Sequence, residues 1–171
     1  MAAQYKIFNG PSPTTAAQVV VTTGTAIKSL LQVQASATMG LKIVSWGVSF
    51  DGAAAAAGIK CELLEVDVGG TFTAHVTAGI VRWNADAVQG GDPVTNRILV
   101  GTGATGYTAT AEGTITVSRM FDAQLVQPTG QYVYEFPLGR EPYMKPGSFF
   151  TRVRVTAAAA VNAYAWILVE A

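Results

Sequence analysis

The pattern of apolar and polar positions along the chain predicts short β-strands almost throughout. Val, Thr, Ile, Tyr and Phe recur in short runs that Gly, Pro, Asn and Asp interrupt. The clearest run is residues 41–51, where the apolar positions of one face are Val44, Trp46, Val48 and Phe50. Serine and glycine occupy the alternate positions, and this period of two is typical of a half-buried strand.

Six further segments carry strand signals of the same kind. They are residues 58–68, 106–120, 121–127, 132–136, 149–156 and 164–169. The second of them has a break near Glu112-Gly113. The last of them is apolar on both faces, which predicts a central strand or a strand that a partner covers. Residues 72–90 are ambiguous between a strand and an irregular excursion. The five alanines of residues 53–57 are too few for a stable helix and predict a loop or a single turn.

Eight or nine short strands at irregular spacing predict an all-β fold, a two-sheet β-sandwich. A jelly roll is the first choice of subtype and another Greek-key sandwich the second. The segment up to about Thr25 is rich in Pro, Ser, Thr and Ala, and Pro11-Ser12-Pro13 within it should be extended. We therefore predict an extended N-terminal arm over residues 1–25, able to reach over a neighbour, and a single β-sandwich domain over residues 26–171.

Composition narrows the classes of function. Half of the 171 residues are apolar and only 13% are charged, against a usual share of roughly a quarter. Either the core is large or uncharged surface becomes covered by partners. Eleven basic residues balance eleven acidic ones, so nothing attracts nucleic acid over distance, and a neutral domain tends to self-associate.

Three features indicate synthesis and folding in a cytoplasm, without a membrane anchor. Cys61 is the only cysteine, so no intrachain disulfide can form. No run approaches the roughly 18 apolar residues of a membrane helix. The first six residues lack the apolar run of a signal peptide.

Residues 101–106 spell a literal G-x-G-x-x-G. In a dinucleotide site a helix must begin there, because the pyrophosphate binds the amides of the helix N-terminus. The following residues, 107–117, are rich in Thr and β-branched side chains and predict a strand instead. A flexible hairpin loop is therefore expected here, and no cofactor.

Candidate reactive side chains are few and scattered. His75 is the only histidine and lacks partners for a metal site or a catalytic triad, so we expect a surface or satisfied polar role. Cys61 lies in an apolar run and should be a small buried side chain. Glu62 should point to the opposite side of its strand from Glu65 and Asp67. We expect no catalytic or metal-binding residues.

Candidate interface residues are easier to find. Arg152 and Arg154 share one strand face, which is either a solvated face or a contact with carboxylates of a neighbouring subunit. Residues 137–147 form a loop stiffened by Pro and Gly that carries Arg140 and Tyr143. A stiff amphipathic loop of this kind predicts an interface anchor, with a simple ordered turn as the alternative.

Three runs of sequence resemble those of a known class of proteins. They are Leu-Lys-Ile-Val-Ser-Trp-Gly-Val-Ser-Phe-Asp-Gly at residues 41–52, Ile-Lys-Cys-Glu-Leu at 59–63 and Ala-Tyr-Ala-Trp-Ile-Leu-Val-Glu at 163–170. They resemble small virion proteins of tailed bacteriophages, of the capsid decoration or cement kind. The resemblance implies a β-sandwich that forms a homotrimer on the outside of an icosahedral head and clamps major capsid proteins after expansion. It implies no catalytic residues.

On this interpretation the protein belongs to the virion, at the capsid surface. Each trimer would engage several capsid subunits, so that modest contacts add up. Trimerisation would cover the outer face of residues 163–169 and would remove exposed strand edges. Trp166 lies in this segment and is the fifth candidate interface residue. Three alternatives stay open: a protein of the tail or fibre, a carbohydrate-binding jelly roll in which Trp46, Trp83 and Trp166 stack on sugars, and an enzyme that depends on His75.

Overall fold

The computed structural model of the protein describes residues 2–12, 15, 17–53, 56–84 and 94–171. Within these ranges thirteen strands are found: β1 Gln4–Phe8, β2 Val21–Thr22, β3 Ile27–Gln34, β4 Leu41–Asp51, β5 Ile59–Val66, β6 Thr71–Ala74, β7 Val81–Arg82, β8 Gly106–Ala111, β9 Ser118–Val126, β10 Gln131–Glu135, β11 Tyr143–Met144, β12 Phe150–Thr156 and β13 Asn162–Glu170. Two short 3₁₀ turns lie at Thr77–Gly79 and Val94–Asn96. No helix in the described ranges is long and apolar enough to cross a membrane.

The strands form two antiparallel sheets that pack face to face, so the predicted two-sheet β-sandwich is confirmed. Sheet A has the order β10-β4-β13-β1-β7, with β11 added to β4 and β2 added to β13. Sheet B has the order β6-β8-β3-β12-β5-β9. Strand β13 is central in sheet A, as its apolar character on both faces predicted. The strand order does not establish the jelly-roll subtype.

The core lies between the two sheets and is built from alternate residues of nearly every long strand. Fully buried side chains include Tyr5, Leu31, Trp46, Leu63 and Ile167. On β12 the core-facing positions are Thr151, Val153 and Val155, all buried, which the alternation of residues 149–156 predicted. Such burial of alternate positions is what holds the strand register, because a one-residue slip would expose the whole apolar set.

The predicted N-terminal arm over residues 1–25 is wrong as a separate unit. Strand β1 lies inside sheet A between β13 and β7, and Tyr5 and Ile7 are fully buried in the core. Strand β2 pairs with β13 as well. The alternation in Gln4–Phe8 is only five residues long, and the Pro, Ser and Thr content that follows it hid this strand signal. Of the predicted extended Pro-Ser-Pro segment, Pro13 lies outside the described residues.

Strand β4 contains a β-bulge that changes which residues face the core. Its register against β13 shifts between the pairs Leu168↔Ser45 and Val169↔Ile43, which leaves Val44 as the extra residue. Ile43 is therefore fully buried in the core, while Val44 is only half-buried. Strict alternation had assigned Val44 to the core face, and a bulge is the ordinary reason why such a period fails.

The structure also shows what the segment with the predicted break and the ambiguous stretch 72–90 form in the described ranges. The predicted break near Glu112-Gly113 separates β8 from β9. Part of the ambiguous stretch 72–90 forms β6 and β7, whereas residues 85–90 lie outside the described residues, as do Ala54 and Ala55 of the alanine run. Gly106, the last glycine of the G-x-G-x-x-G, begins strand β8 and not a helix, as its sequence context predicted.

Gly47 in the middle of β4 is required by a close approach. It pairs with Trp166 of β13, and a Cβ atom at this position would lie 2.8 Å from the indole ring. The ring therefore lies across the glycine on the outer face of sheet A. Any side chain at position 47 must push the indole away.

We expect Gly47→Ala to lower the free energy of unfolding by about 1–3 kcal/mol, the usual cost of overpacking a well-packed site. Ser49→Ala, two residues further along the same strand, is the matched control and should change it by less than about 0.5 kcal/mol. Urea unfolding followed by tryptophan fluorescence measures both. Equal stability of Gly47→Ala and the wild type would contradict the packing of Trp166 on Gly47.

Candidate interaction surface

The Arg152 side chain is buried inside the chain on the outer side of sheet B. It is 0% exposed, although its strand position points away from the core. Its Nε donates to Gln32 Oε1 at 2.9 Å, and its Nη2 donates to the carbonyl of Val68 at 2.6 Å. Its Nη1 donates to the carbonyl of Glu112 at 2.8 Å and forms an ion pair with Glu112 Oε2 at 3.2 Å. Most of the guanidinium's five N–H donors are thus satisfied within the chain.

The partners of Arg152 are held by hydrogen bonds of their own. Gln32 Nε2 donates to the carbonyl of Ala104 at 2.6 Å, and Gln32 Oε1 accepts from the backbone N–H of Gly70 at 3.1 Å. The carboxylate of Glu112 accepts from the backbone N–H and the hydroxyl of Ser29, each at 2.6 Å. We call this set of groups the Arg152 network. It ties the β5–β6 turn, the loop before β8 and the residue after β8 to the outer face of sheet B.

The prediction of Arg152 as an interface residue is therefore corrected. The carboxylate that it binds is the chain's own Glu112, and its surface is covered by chain segments that are distant in sequence. Burial lowers the pKa of the Arg152 guanidinium, and the neighbouring carboxylate of Glu112 opposes this shift. Arg154 lies on the same face, partly exposed, where its Nε pairs with Glu62 Oε2 at 2.7 Å. It too is engaged within the chain.

Each sheet has two edge strands, and on one open side of the sandwich the edge strands β9 and β10 of the two sheets meet. Strand β9 ends sheet B, and β10 and β11 lie along the free edge of β4 in sheet A. No further strand within the described ranges pairs with the outer edge of β9 or β10. We call residues 118–144 on this side the edge surface. Unpaired strand edges present backbone N–H and C=O groups that another chain can use.

The edge surface is also rich in exposed apolar side chains. Of the thirteen large hydrophobic side chains that are exposed in the described part of the chain, six belong to it: Met120, Leu125, Val133, Tyr134, Leu138 and Tyr143. Leu138 is 97% exposed at the tip of the loop between β10 and β11. An apolar surface beside two open strand edges is typical of a protein-binding site.

A shared carboxylate joins the two sheets beneath the edge surface. Asp122 of β9 accepts hydrogen bonds from Trp46 Nε1 at 3.0 Å and from the hydroxyl of Tyr132 at 2.9 Å. Burial, assisted by this carboxylate, raises the pKa of Tyr132 to about 12. Tyr132, Tyr134 and Phe136 then follow one another along β10 with ring centroids 6.5 and 5.0 Å apart. Asp122 therefore links β9 of sheet B to β4 and β10 of sheet A.

Tyr143 and Arg140, both predicted interface residues, lie on this open side. Tyr143 is 50% exposed, and its ring packs so closely on Gly40 that no Cβ atom fits there. Arg140 is exposed in the loop after β10. The sequence did not single out Arg119, which donates to the carbonyl of Tyr143 at 3.3 Å and pairs with Glu65 at 3.0 Å. Only the pairing of β9 with β5 brings Arg119 to Glu65, so spacing could not reveal it.

Trp166, the remaining predicted interface residue, lies elsewhere, on the outer face of sheet A. Its indole is half-buried over Gly47, and Lys6 Nζ lies 4.0 Å from a ring centroid of the indole. The structure thus brings Arg140 and Tyr143 to one side, and it leaves Trp166 apart from them. Trp46, which had been considered for sugar stacking with Trp83 and Trp166, is fully buried in the core.

The candidate reactive groups occupy structural positions. His75 is buried, its Nε2 bonds to the carbonyl of Phe8 at 2.9 Å, and burial lowers the pKa of its imidazole although that hydrogen bond opposes the shift. Cys61 is buried, and desolvation, reinforced by Glu62, raises the pKa of its thiol to about 12. Among the residues that the structure describes, no three His, Cys, Asp or Glu side chains are grouped to hold a metal ion.

Comparisons with protein-family models, with curated proteins and with solved structures find no match to this chain.

Replacing Arg152 by Met should lower the free energy of unfolding by about 3–5 kcal/mol, because Glu112 would be left without its cation. The Val68 carbonyl and Gln32 would also lose a donor. Arg154→Met is the matched control on the same strand face. It breaks a partly exposed pair and should cost about 1 kcal/mol or less.

Urea unfolding at neutral pH measures both variants. If Arg152→Met cost no more than Arg154→Met, the Arg152 network would not stabilise the fold as described.

Proposed function

We propose that the protein is a structural virion protein, a decoration or cement protein that binds the outside of an icosahedral phage head. In this role it bridges major capsid subunits and stabilises the head. The proposal is supported by the resemblance of residues 41–52, 59–63 and 163–170 to proteins of that kind. It is also supported by the low content of charged residues, which suits a surface that partners cover.

The observation that carries the proposal is the edge surface. A partner strand added to β9 or β10 would gain main-chain hydrogen bonds, and the apolar side chains beside the edge would fix its position. Half-exposed Tyr143 supplies the kind of aromatic contact that dominates interface energies, and exposed Leu138 adds apolar area that a partner can cover. Asp122 links the two sheets beneath the edge surface. The strands of this surface therefore need little ordering when a partner binds, which favours affinity.

We further propose that the protein acts as a homotrimer with a jelly-roll-like sandwich. A formal net charge of zero offers no repulsion between copies. Three copies around a local three-fold axis would engage several capsid subunits together, so that weak contacts add through effective concentration. Size-exclusion chromatography with light scattering tests this directly, and a monomer at high concentration would contradict it.

Binding to heads should depend on the edge surface. We expect Val133→Lys to weaken co-sedimentation with expanded phage heads by about tenfold or more, because the charge must be desolvated at the covered edge. Val133 is 57% exposed on β10, so its replacement should leave the fold intact. Val76→Lys is the matched control, since Val76 is 64% exposed after β6, away from the edge surface.

Equal binding of the two variants would contradict the assignment of the docking side. Immunogold labelling of intact particles provides the separate test of location: label on heads is expected, and label on tails would instead indicate a tail- or fibre-associated protein.

A further inference from the structure

A second concave site lies on the opposite part of the molecule, at the edge of sheet A near β1 and β7. It is a pocket of about 320 Å³ lined by Lys6, Phe8, Ser12, Arg82 and Trp83. This volume is at the lower end of the range of about 300–1,000 Å³ that is usual for small-molecule sites, so it suits a single ring. The pocket belongs to neither the core nor the edge surface.

One aromatic side chain of this pocket, that of Trp83, is largely exposed in the described part of the chain. Trp83 is 61% exposed, and its backbone N–H donates to the carbonyl of Gln4 at 2.7 Å, which places its backbone beside β1. Phe8 is half-buried on β1. An exposed indole beside a concave surface offers a flat apolar face on which a ring can stack.

Lys6 is held in place by aromatic rings. Its Nζ lies 4.0 Å from the centroid of Trp166 and 5.6 Å from that of Phe8. These cation–π contacts restrict a side chain that is otherwise flexible, so its charge is preorganised at the pocket. Because the indole of Trp166 lies across Gly47, the position of Lys6 is set by the sheet itself.

The pocket carries positive charge without a counterion from the described chain. Lys6 and Arg82 both line it, and neither forms an ion pair with a carboxylate within the described ranges. Among the described residues, the Arg82 guanidinium donates from Nε to Asn84 Oδ1 at 3.2 Å. In a protein whose formal net charge is zero, two cations at one concave site, without an ion pair in the described part of the chain, indicate an anionic ligand.

We propose that this pocket binds an anionic saccharide unit, a pyranose ring that bears a carboxylate. The carboxylate is held by Lys6 and Arg82 through charge-assisted hydrogen bonds, and the apolar face of the ring stacks on Trp83. The Ser12 hydroxyl donates to the carbonyl of Gly79 at 2.9 Å, so its oxygen is oriented to accept a hydrogen bond from a sugar hydroxyl. This activity is separate from head binding and would let a protein on the virion surface attach to acidic glycans.

A sugar is favoured over an acidic side chain of a protein partner because of the pocket's shape. The site combines an open concavity large enough for one ring with an exposed aromatic face, whereas a carboxylate side chain alone would leave Trp83 unused. A phosphate ion would likewise use only the two cations. The experiment therefore compares all of these chemistries on one protein.

Saturation-transfer NMR on the full chain, with methyl β-glucuronide and N-acetylneuraminate as probes, tests the proposal. Methyl β-glucoside, which has a neutral hydroxymethyl group in place of the carboxylate of the glucuronide, should bind at least about tenfold more weakly than the acidic sugar, the usual effect of losing a charge-assisted hydrogen bond. Lys6→Met and Trp83→Ala should each reduce binding by a factor of about ten or more. Lys60→Gln removes an exposed lysine from β5 in sheet B and should leave binding unchanged.

Thermal unfolding verifies that Lys6→Met, which keeps the packing on Trp166, and Trp83→Ala remain folded. The proposal is overturned if neither acidic sugar binds saturably, if the neutral glucoside binds equally well, or if both pocket variants bind like the wild type. An unstructured glutamate peptide or inorganic phosphate that displaces the sugar at lower concentration would also overturn it and assign the pocket to that ligand. Head binding is measured separately, so failure here leaves the decoration role standing.

Discussion

The hydrogen bonds of the Arg152 guanidinium are the interaction on which the rest of the structure depends. A charged side chain at the centre of sheet B is fully buried, and burial of a charge is costly unless it is paired and hydrogen-bonded. Glu112, Gln32 and the Val68 carbonyl provide that compensation. Because these groups come from segments far apart in sequence, satisfying one guanidinium fixes the turn after β5 and the segment after β8 together on the outer face of sheet B.

The coverage of the outer face of sheet B by these segments determines which surfaces are left to bind other molecules. The outer centre of sheet B is occupied by the chain's own segments, and the inner faces of both sheets form the core. Two surfaces that remain open are the side where β9 and β10 meet and the cationic pocket near β1. The edge surface offers unpaired strand edges and apolar side chains, which suit a protein partner. The pocket offers two cations beside an exposed aromatic face, which suit an acidic ring. Because the chain carries few charged residues overall, the cationic pocket differs clearly from the apolar edge surface.

The sequence predicted the sandwich and most strands because burial of alternate residues is a local property. It failed where a distant partner decides the outcome. Strand β1 is too short to be recognised without β13, and the bulge at Val44 reverses the alternation of β4 in a way that only the pairing reveals. Arg152 and Arg154 look equivalent along β12, yet one is buried because Glu112 and Val68 cover it. Arg140 and Tyr143 were found because a stiff Pro/Gly loop is itself a local signal, whereas Arg119 and Lys6 depend on contacts across the fold.

Hydrogen–deuterium exchange of the protein, free and bound to expanded phage heads, shows which strand edges a partner covers. We expect binding to slow exchange of the outward-facing amides of β9 and β10, while amides of β6 at the opposite edge of sheet B exchange as in the free protein. Protection confined to β6, or no difference at β9 and β10 in a protein that is demonstrably bound, would contradict the claim that the open side of the sandwich is where it binds its partners.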